Sequence, residues 1–422
     1  MTPAPSQPAA SPTAADPNAA VSTFVQQRLQ SLDVYRGLIM IALAFSGFGL
    51  AATAARHLEA HPDSAVWNEV KYQFSHVEWV GCAFWDLIQP SFMFMVGVSL
   101  PYSYGVRRER GDSWRRMFFH AARRSLVLIL LGVFLRSNSP TYTMTNWTFM
   151  DVVSQIGLGY IFLFLLWSCR PRWQALGAAL ILVGAWAMYF FYPQAGLDIT
   201  RGAPEVGVTA EWAQEHLQGV APPWHKNANV GQAIDLWFLN LFPRPKPFEF
   251  DAGGYQTINF VPELATMIFG LLCGELLRSA VPPWRKLGIL ILAGAAAMAL
   301  GQVLHITGAV PLVKRIWTPS WALFSTGWCM LILAALYGVI DVLRWRFWTF
   351  PFVVVGMNSI AMYCLGGLLG GWTGRTLATH LGAEWFDLFG KPWAPTVERT
   401  AIGLVFWLVC WWMYRRRVFL RV

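Results

Sequence analysis

Long apolar runs separated by short basic loops set the pattern of this chain. Ten runs are long enough, at about 17–25 residues, to cross a bilayer. They fall at 34–55, 82–104, 118–137, 147–169, 173–192, 257–277, 286–307, 318–341, 350–371 and 399–415. The pattern predicts an all-α, polytopic membrane protein with about ten transmembrane helices.

The polar connections give an orientation. With the N-terminus in the cytoplasm, the inner loops hold Arg107, Arg108, Arg110, Arg115 and Arg116, then Arg170 and Arg172, then Arg278, Arg285 and Lys286, then Arg344 and Arg346. These loops are short and positive, as cytoplasmic loops are. The loops at 56–81, 193–256 and 372–398 are long and mixed in charge, and they fall outside. An even number of spans returns the C-terminus to the cytoplasm, beside Arg415, Arg416 and Arg417. Residues 1–27 are rich in Ala, Pro, Ser and Thr and carry neither a basic nor an apolar signal region. They are expected to be a disordered cytoplasmic tail. Residues 28–422 then form one transmembrane domain with an extracytoplasmic loop at 193–256.

Composition agrees. Hydrophobic residues make up 55% of the 422 and charged residues only 13%, where a soluble domain carries roughly a quarter. The 23 tryptophans fit aromatic belts at two lipid interfaces. The net charge of +9 is explained by the inner loops. No basic and aromatic motif points to nucleic acid. The six cysteines are scattered without metal or redox spacing, so no metal is expected.

Against this background the stretch from His76 through Asp86 and Pro90 to Gly97 stands out. A lone carboxylate in hydrocarbon costs about 2.5–3.5 kcal/mol on lenient scales. Asp86 is expected inside the second span, facing a polar cavity, with Pro90 kinking the helix there. His76 lies just outside the span's outer end. Histidine exchanges a proton near neutral pH, which suits general acid–base or nucleophilic work. A solvated loop histidine, and an aspartate bonded to neighbouring helices, are the plainer readings. Asp33 with Arg36, and Glu275 with Arg278, are spaced to pair on one helix face. Arg123 and Arg124 open the third span, where one can snorkel to the surface. The other needs an anionic partner, such as a ligand phosphate or a lipid headgroup. Gln155, Asn358 and Ser359 lie within spans, lining either a tunnel or an interhelical network. Trp212, Trp224 and the acidic residues of the 193–256 loop suit a sugar, although surface loops look similar.

Several motifs, in order, resemble one family. Arg28-Leu-Gln-Ser-Leu-Asp33-Val-Tyr-Arg36-Gly37 is similar to the opening motif of the heparan-α-glucosaminide N-acetyltransferase family and its bacterial relatives. His76, Trp79, Gly81, Asp86, Pro90, Phe92, Phe94 and Gly97 resemble its active-site segment. Ser154-Gln155-Ile-Gly157-Leu-Gly-Tyr160, Thr257-Ile-Asn259, Trp317-Thr318-Pro-Ser320 and Gly356-Met-Asn358-Ser359 match later motifs. The resemblance implies an acyltransferase of the bacterial inner membrane. Acetyl-CoA would arrive from the cytoplasm as co-substrate, and a glucosamine-type sugar on the far side would accept the acetyl group. It puts His76 at the catalytic position, as nucleophile or general base, with Asp86 orienting or tuning it. Arg123, Arg124, Gln155, Asn358, Ser359 and Ser320 are the expected cofactor-binding residues, and Asn259, Trp79 and Ser46 the expected substrate-binding ones. Gly47, Val80 and Gly366 or Gly367 stand where the family often carries Asn, Asn and, in the lysosomal member, His. The expected partners are the bilayer and a sugar or glycan acceptor, and a homodimer is left open. A sugar transporter with the same polar-lined bundle and no chemistry is the alternative.

Overall fold

The computed structural model describes residues 29–139, 142–193 and 199–420. The tail expected at 1–27 lies outside the described residues. Among the described residues no strand forms, and two isolated bridges, Val80 with Val313 and Ala203 with Val208, are the β pairings.

The long helices are α1 (Gln30–Ala44), α2 (Leu50–Ala60), α3 (Ala65–Gln73), α4 (Ile88–Glu109), α5 (Trp114–Arg136), α6 (Val152–Trp167) and α7 (Pro171–Phe190). Short helices α8 (Ala210–His216) and α9 (Val230–Phe238) follow. The second half holds α10 (Phe260–Arg278), α11 (Pro283–Ile306), α12 (Pro319–Tyr337), α13 (Phe350–Gly356), α14 (Ser359–Leu381) and α15 (Ala394–Arg415). Among the described residues, five helical segments are long and apolar enough to cross a membrane, and up to seven if the bent pairs α1–α2 (47°) and α13–α14 (79°) each count as one. A shorter apolar helix, α6, lies between them. The chain is therefore an all-helical multi-pass membrane protein.

Glycine decides how closely these helices meet. A Cβ on Gly97 of α4 would come within 1.9 Å of the Met267 carbonyl oxygen, and one on Gly270 of α10 within 2.0 Å of the Phe94 carbonyl oxygen. Helices α4 and α10 thus touch backbone to backbone, the small-residue packing that bilayer interiors favour. Their contact forms the centre of the bundle, where Met93, Phe94, Met267, Ile268 and Leu271 are buried.

Three expectations change here. Residues 82–87 do not belong to the helix: a 3-10 turn, Phe84–Leu87, precedes α4. Asp86 therefore sits on a turn and not within a helical span. Pro90 falls in the first turn of α4, where the missing N–H has no helical partner to lose, so it makes no kink. Glu275 and Arg278 also do not pair. Gln174 Nε2 donates to Glu275 Oε1 at 3.0 Å, and Arg278 reaches Glu109 at 3.0 Å and the Pro101 carbonyl. Asp33 and Arg36 do meet, at 3.2 Å.

The segment between α7 and α10 folds over the ends of the helices. Its core joins Trp224, Ile199, Val208 and Leu217 to Trp79, Tyr189, Val313 and Ile316. The cluster clamps the 76–83 loop against the 310–317 loop, and the amide of Gly81 donates to the Leu312 carbonyl at 2.9 Å.

Candidate functional site

That clamp brings a carboxylate, an imidazole and an ammonium together. His76 Nδ1 lies 2.7 Å from Asp86 Oδ1. Lys314 Nζ lies 3.2 Å from the same oxygen and 3.1 Å from His76 Nδ1. The backbone N–H groups of Val77 and Ala83 donate to Asp86 Oδ2 at 3.1 and 3.3 Å. The aspartate, with a side chain 2% exposed, is thus surrounded by four donors. Lys314 is 7% exposed, whereas the His76 ring is 42% exposed. When Nδ1–H donates to this carboxylate, Nε2 is left as the acceptor, and Lys314 Nζ, which can only donate, approaches Nδ1 as a charge and not as a hydrogen-bond partner. Lys314 balances the charge of Asp86.

Lys314 was not singled out from the sequence. It follows a Val-Pro-Leu-Val run and precedes Arg315, so it reads as one more loop cation. A three-way bonding pattern anchors the loop that carries it. Thr318 Oγ1 and Ser320 Oγ both donate to the Pro311 carbonyl at 2.7 Å. Asn259 Nδ2 donates to the Arg315 carbonyl at 2.8 Å. Two expected ligand-binding residues, Ser320 and Asn259, thus hold the Lys314 loop in place.

His76 and Lys314 line a cavity of about 860 Å3, a size suited to a small-molecule site. Trp85 and Gln89 share its wall, as do Arg244, Asp251 and Tyr255 from the covering segment. Below it, Gln89 Nε2 donates to Glu263 Oε1 at 2.7 Å. Glu263 is wholly buried in α10, and its other oxygen has no partner. A further wall carries Arg136, Asp151 and Tyr363. Arg136 Nε donates to Asp151 Oδ2 at 3.3 Å, and the Tyr363 hydroxyl donates to the same oxygen at 3.0 Å.

The remaining expected residues lie elsewhere. Trp79 is buried and donates through Nε1 to the Trp224 carbonyl at 3.0 Å, so it belongs to the clamp. Gln155 is buried too and donates to the carbonyls of Phe149 and Thr257 at 2.7 and 3.1 Å. Arg124 donates to the Tyr160 hydroxyl at 3.2 Å and stacks over that ring at 4.8 Å, which supplies a neutral partner where an anion was expected. Arg123 is exposed. Arg124 stands 12 residues from Arg136 on α5, or about 18 Å along the helix. Asn358 fills the bend between α13 and α14 and accepts from the Leu420 amide at 3.2 Å; Ser359 begins α14. Ser46 is exposed and borders a smaller cavity of about 290 Å3.

The covering segment holds one more unusual group. Asp235 is buried, accepts from the Thr257 amide at 2.9 Å, and leaves its second oxygen unpartnered. Burial pushes its carboxyl up to about 6, against the smaller opposing effect of the Thr257 bond.

Residues 28–200 match the family model described as heparan-alpha-glucosaminide N-acetyltransferase, catalytic. Two curated proteins, both named heparan-alpha-glucosaminide N-acetyltransferase, align along most of the chain. The human one is 22% identical over 94% of this chain and 60% of its own length. The mouse one is 23% identical over 84% of this chain and 55% of its own length. The chain thus spans a little over half the length of these relatives. The matched segment contains His76 and Asp86 but ends well before Lys314.

Proposed function

We propose that this chain, a relative of the heparan-α-glucosaminide N-acetyltransferase family, moves an acetyl group from cytoplasmic acetyl-CoA to an amino or hydroxyl group of an extracytoplasmic, glucosamine-type sugar. The observation that carries the reading is His76, held at Nδ1 by Asp86, with its ring 42% exposed in the wall of a cavity. In our scheme ten spans keep both termini in the cytoplasm of a bacterial inner membrane, and the cavity faces outward. The positive charge on the short inner loops supports this orientation.

The chemistry follows from the histidine. The acceptor nitrogen attacks the thioester carbonyl, and a C–N bond forms as the C–S bond breaks. His76 Nε2 takes the acceptor's proton and returns it to the departing sulfur, giving the acetylated sugar and the CoA thiol. Asp86 holds the ring in the reactive tautomer, as carboxylates do in acyl-transfer triads. Lys314 compensates Asp86, so the buried carboxylate does not stand unpaired. Attack by Nε2 itself, through an acyl-histidine, uses the same geometry.

In the same scheme Arg123 and Arg124 attract the CoA phosphates at the inner half of the bundle. The acyl arm then covers the ~18 Å between Arg124 and the cavity. Gln155, Ser320, Asn259 and Trp79 act through the frame they hold, and Asn358 and Ser359 through the helix break. The transporter alternative finds no support in the relatives, both of which are named as acetyltransferases.

Thiol release from acetyl-CoA tests the reading, using purified protein in lipid with and without glucosamine. Acceptor-dependent release is expected from wild type and not from His76→Ala. Release without acceptor, with label kept on the protein, would favour the acyl-histidine. A folded wild type inactive across a panel of amino sugars and glycans would defeat the acetyltransferase reading.

A further inference from the structure

The Arg136 wall does not take part in the chemistry at His76, and it opens into a second space. The smaller cavity of about 290 Å3 shares Leu43, Leu135, Arg136, Asp151 and Tyr363 with the main one. Its other walls are Ala44, Ser46, Met362, Gly366 and Gly367. The space is therefore amphipathic. One side has an arginine, a carboxylate and a phenol, and the rest, apart from Ser46, is hydrocarbon and glycine.

Its position is informative. It lies between the end of α5 and the middle of α14. Gly367 is exposed, and a Cβ there would meet only Leu135, at 3.7 Å. Beside it the outward side chains are Leu130 and Phe134 on α5 and Leu369 and Trp372 on α14, all exposed. Exposed apolar side chains on membrane helices face lipid. The gap thus leads from the bilayer to the catalytic cavity. Arg136 ends α5, at the depth where spanning helices meet lipid phosphates. Only its Nε is engaged, by Asp151, and neither terminal nitrogen has a described partner. Asp151 is itself satisfied by Arg136, Tyr363 and the Val153 amide. Its charge is compensated, and the free edge of the guanidinium is left to receive a phosphate.

We propose that this side cavity admits a lipid-linked acceptor: a glucosamine-type sugar joined through phosphate to an apolar chain. The chain lies along Gly366 and Gly367 between α5 and α14. The phosphate rests on Arg136, and the sugar projects into the main cavity toward His76. The identity of the ligand as an acceptor rests on the acetyl-transfer reading, while its binding does not.

Binding of glucosamine 1-(decyl phosphate) to the full protein in phosphatidylcholine nanodiscs, without acetyl-CoA, tests the inference by native mass spectrometry. A ten-carbon chain concentrates the probe in the bilayer by itself, so the comparison is between variants in the same bilayer. Gly367→Leu should weaken binding by about tenfold, as expected if the new side chain displaces roughly two methylenes. Arg136→Gln, which leaves the pocket's shape intact, should weaken the decyl ester and decyl phosphate alike, by about tenfold, and leave decyl glucoside unaffected. Binding that is unchanged in both variants would overturn the site. So would equal retention of decyl phosphocholine, which would mark a place for bulk lipid. If binding behaves as expected and no acceptor releases CoA, the lipid site stands and the transferase reading falls. If free glucosamine is acetylated and the variants bind the ester as wild type does, the reverse holds.

Discussion

The ion pair between Asp86 and Lys314 can be weighed by removing each charge alone and both together. The pair is nearly dry, with side chains 2% and 7% exposed and 3.2 Å between Nζ and Oδ1. Asp86→Asn leaves Lys314 as a buried cation without a counter-charge. Lys314→Met keeps the apolar stem and leaves Asp86 with His76 and two backbone donors. Breaking a buried pair from one side costs about 3–5 kcal/mol, mostly for the charge left behind, whereas replacing both partners costs far less. Each single variant is therefore expected to lose about 3 kcal/mol and the double variant well under ~3, not the sum of roughly 6. The coupling would be at least ~3 kcal/mol. Unfolding free energies from denaturant titration of the detergent-solubilised protein, followed by tryptophan fluorescence, supply the cycle. Costs that add to within about 0.5 kcal/mol, the scatter of independent sites, would refute the pairing as an energetic unit.

Other outcomes follow from the same structure. Asp86→Asn should also slow acetyl transfer by about 10²–10⁴, because His76 loses the acceptor that fixes its tautomer; a rate within threefold of wild type in a folded sample would contradict this. Asp235 binds its proton more tightly when folded, with a carboxyl at about 6 against an ordinary 3.8. Its contribution to stability is full below about pH 4, falls as pH rises to about 6, and totals ~3 kcal/mol. Melting curves at pH 4.5 and 7 should show Asp235→Asn losing that slope, and equal slopes would count against it. Gly97→Ala should destabilise the α4–α10 contact by about 1–3 kcal/mol or more, while Gly184→Ala, with nothing within 4 Å of its Cβ, should not; thermal unfolding of the two separates them. Glu263→Leu should lower the melting temperature more than Glu263→Gln, since only the leucine orphans Gln89 Nε2 at a cost of about 1–3 kcal/mol.

The apolar runs, their helical nature and the membrane class were legible in the sequence, because hydrocarbon forces each spanning segment to satisfy its own backbone. That constraint acts within about twenty residues, so a one-dimensional reading captures it. The end of a helix is less legible. Apolarity continues through residues 82–87, yet these form a turn, since the Asp86 side chain takes the Val77 and Ala83 amides. Composition cannot register such a local competition for hydrogen bonds.

The histidine and its aspartate were visible as an oddity of polarity ten residues apart. Their contact, and still more the arrival of Lys314 from 228 positions away, were decided by tertiary structure. The clamp of Trp79, Trp224, Val313 and Ile316 sets two loops side by side, and no periodicity in either loop announces it. The same is true of Arg136, Asp151 and Tyr363, which meet only because α5, α6 and α14 converge. Sequence determines which segments must leave water. Which polar groups then share a cavity depends on where helices cross, and glycine contacts such as Gly97 on Met267 set those crossings.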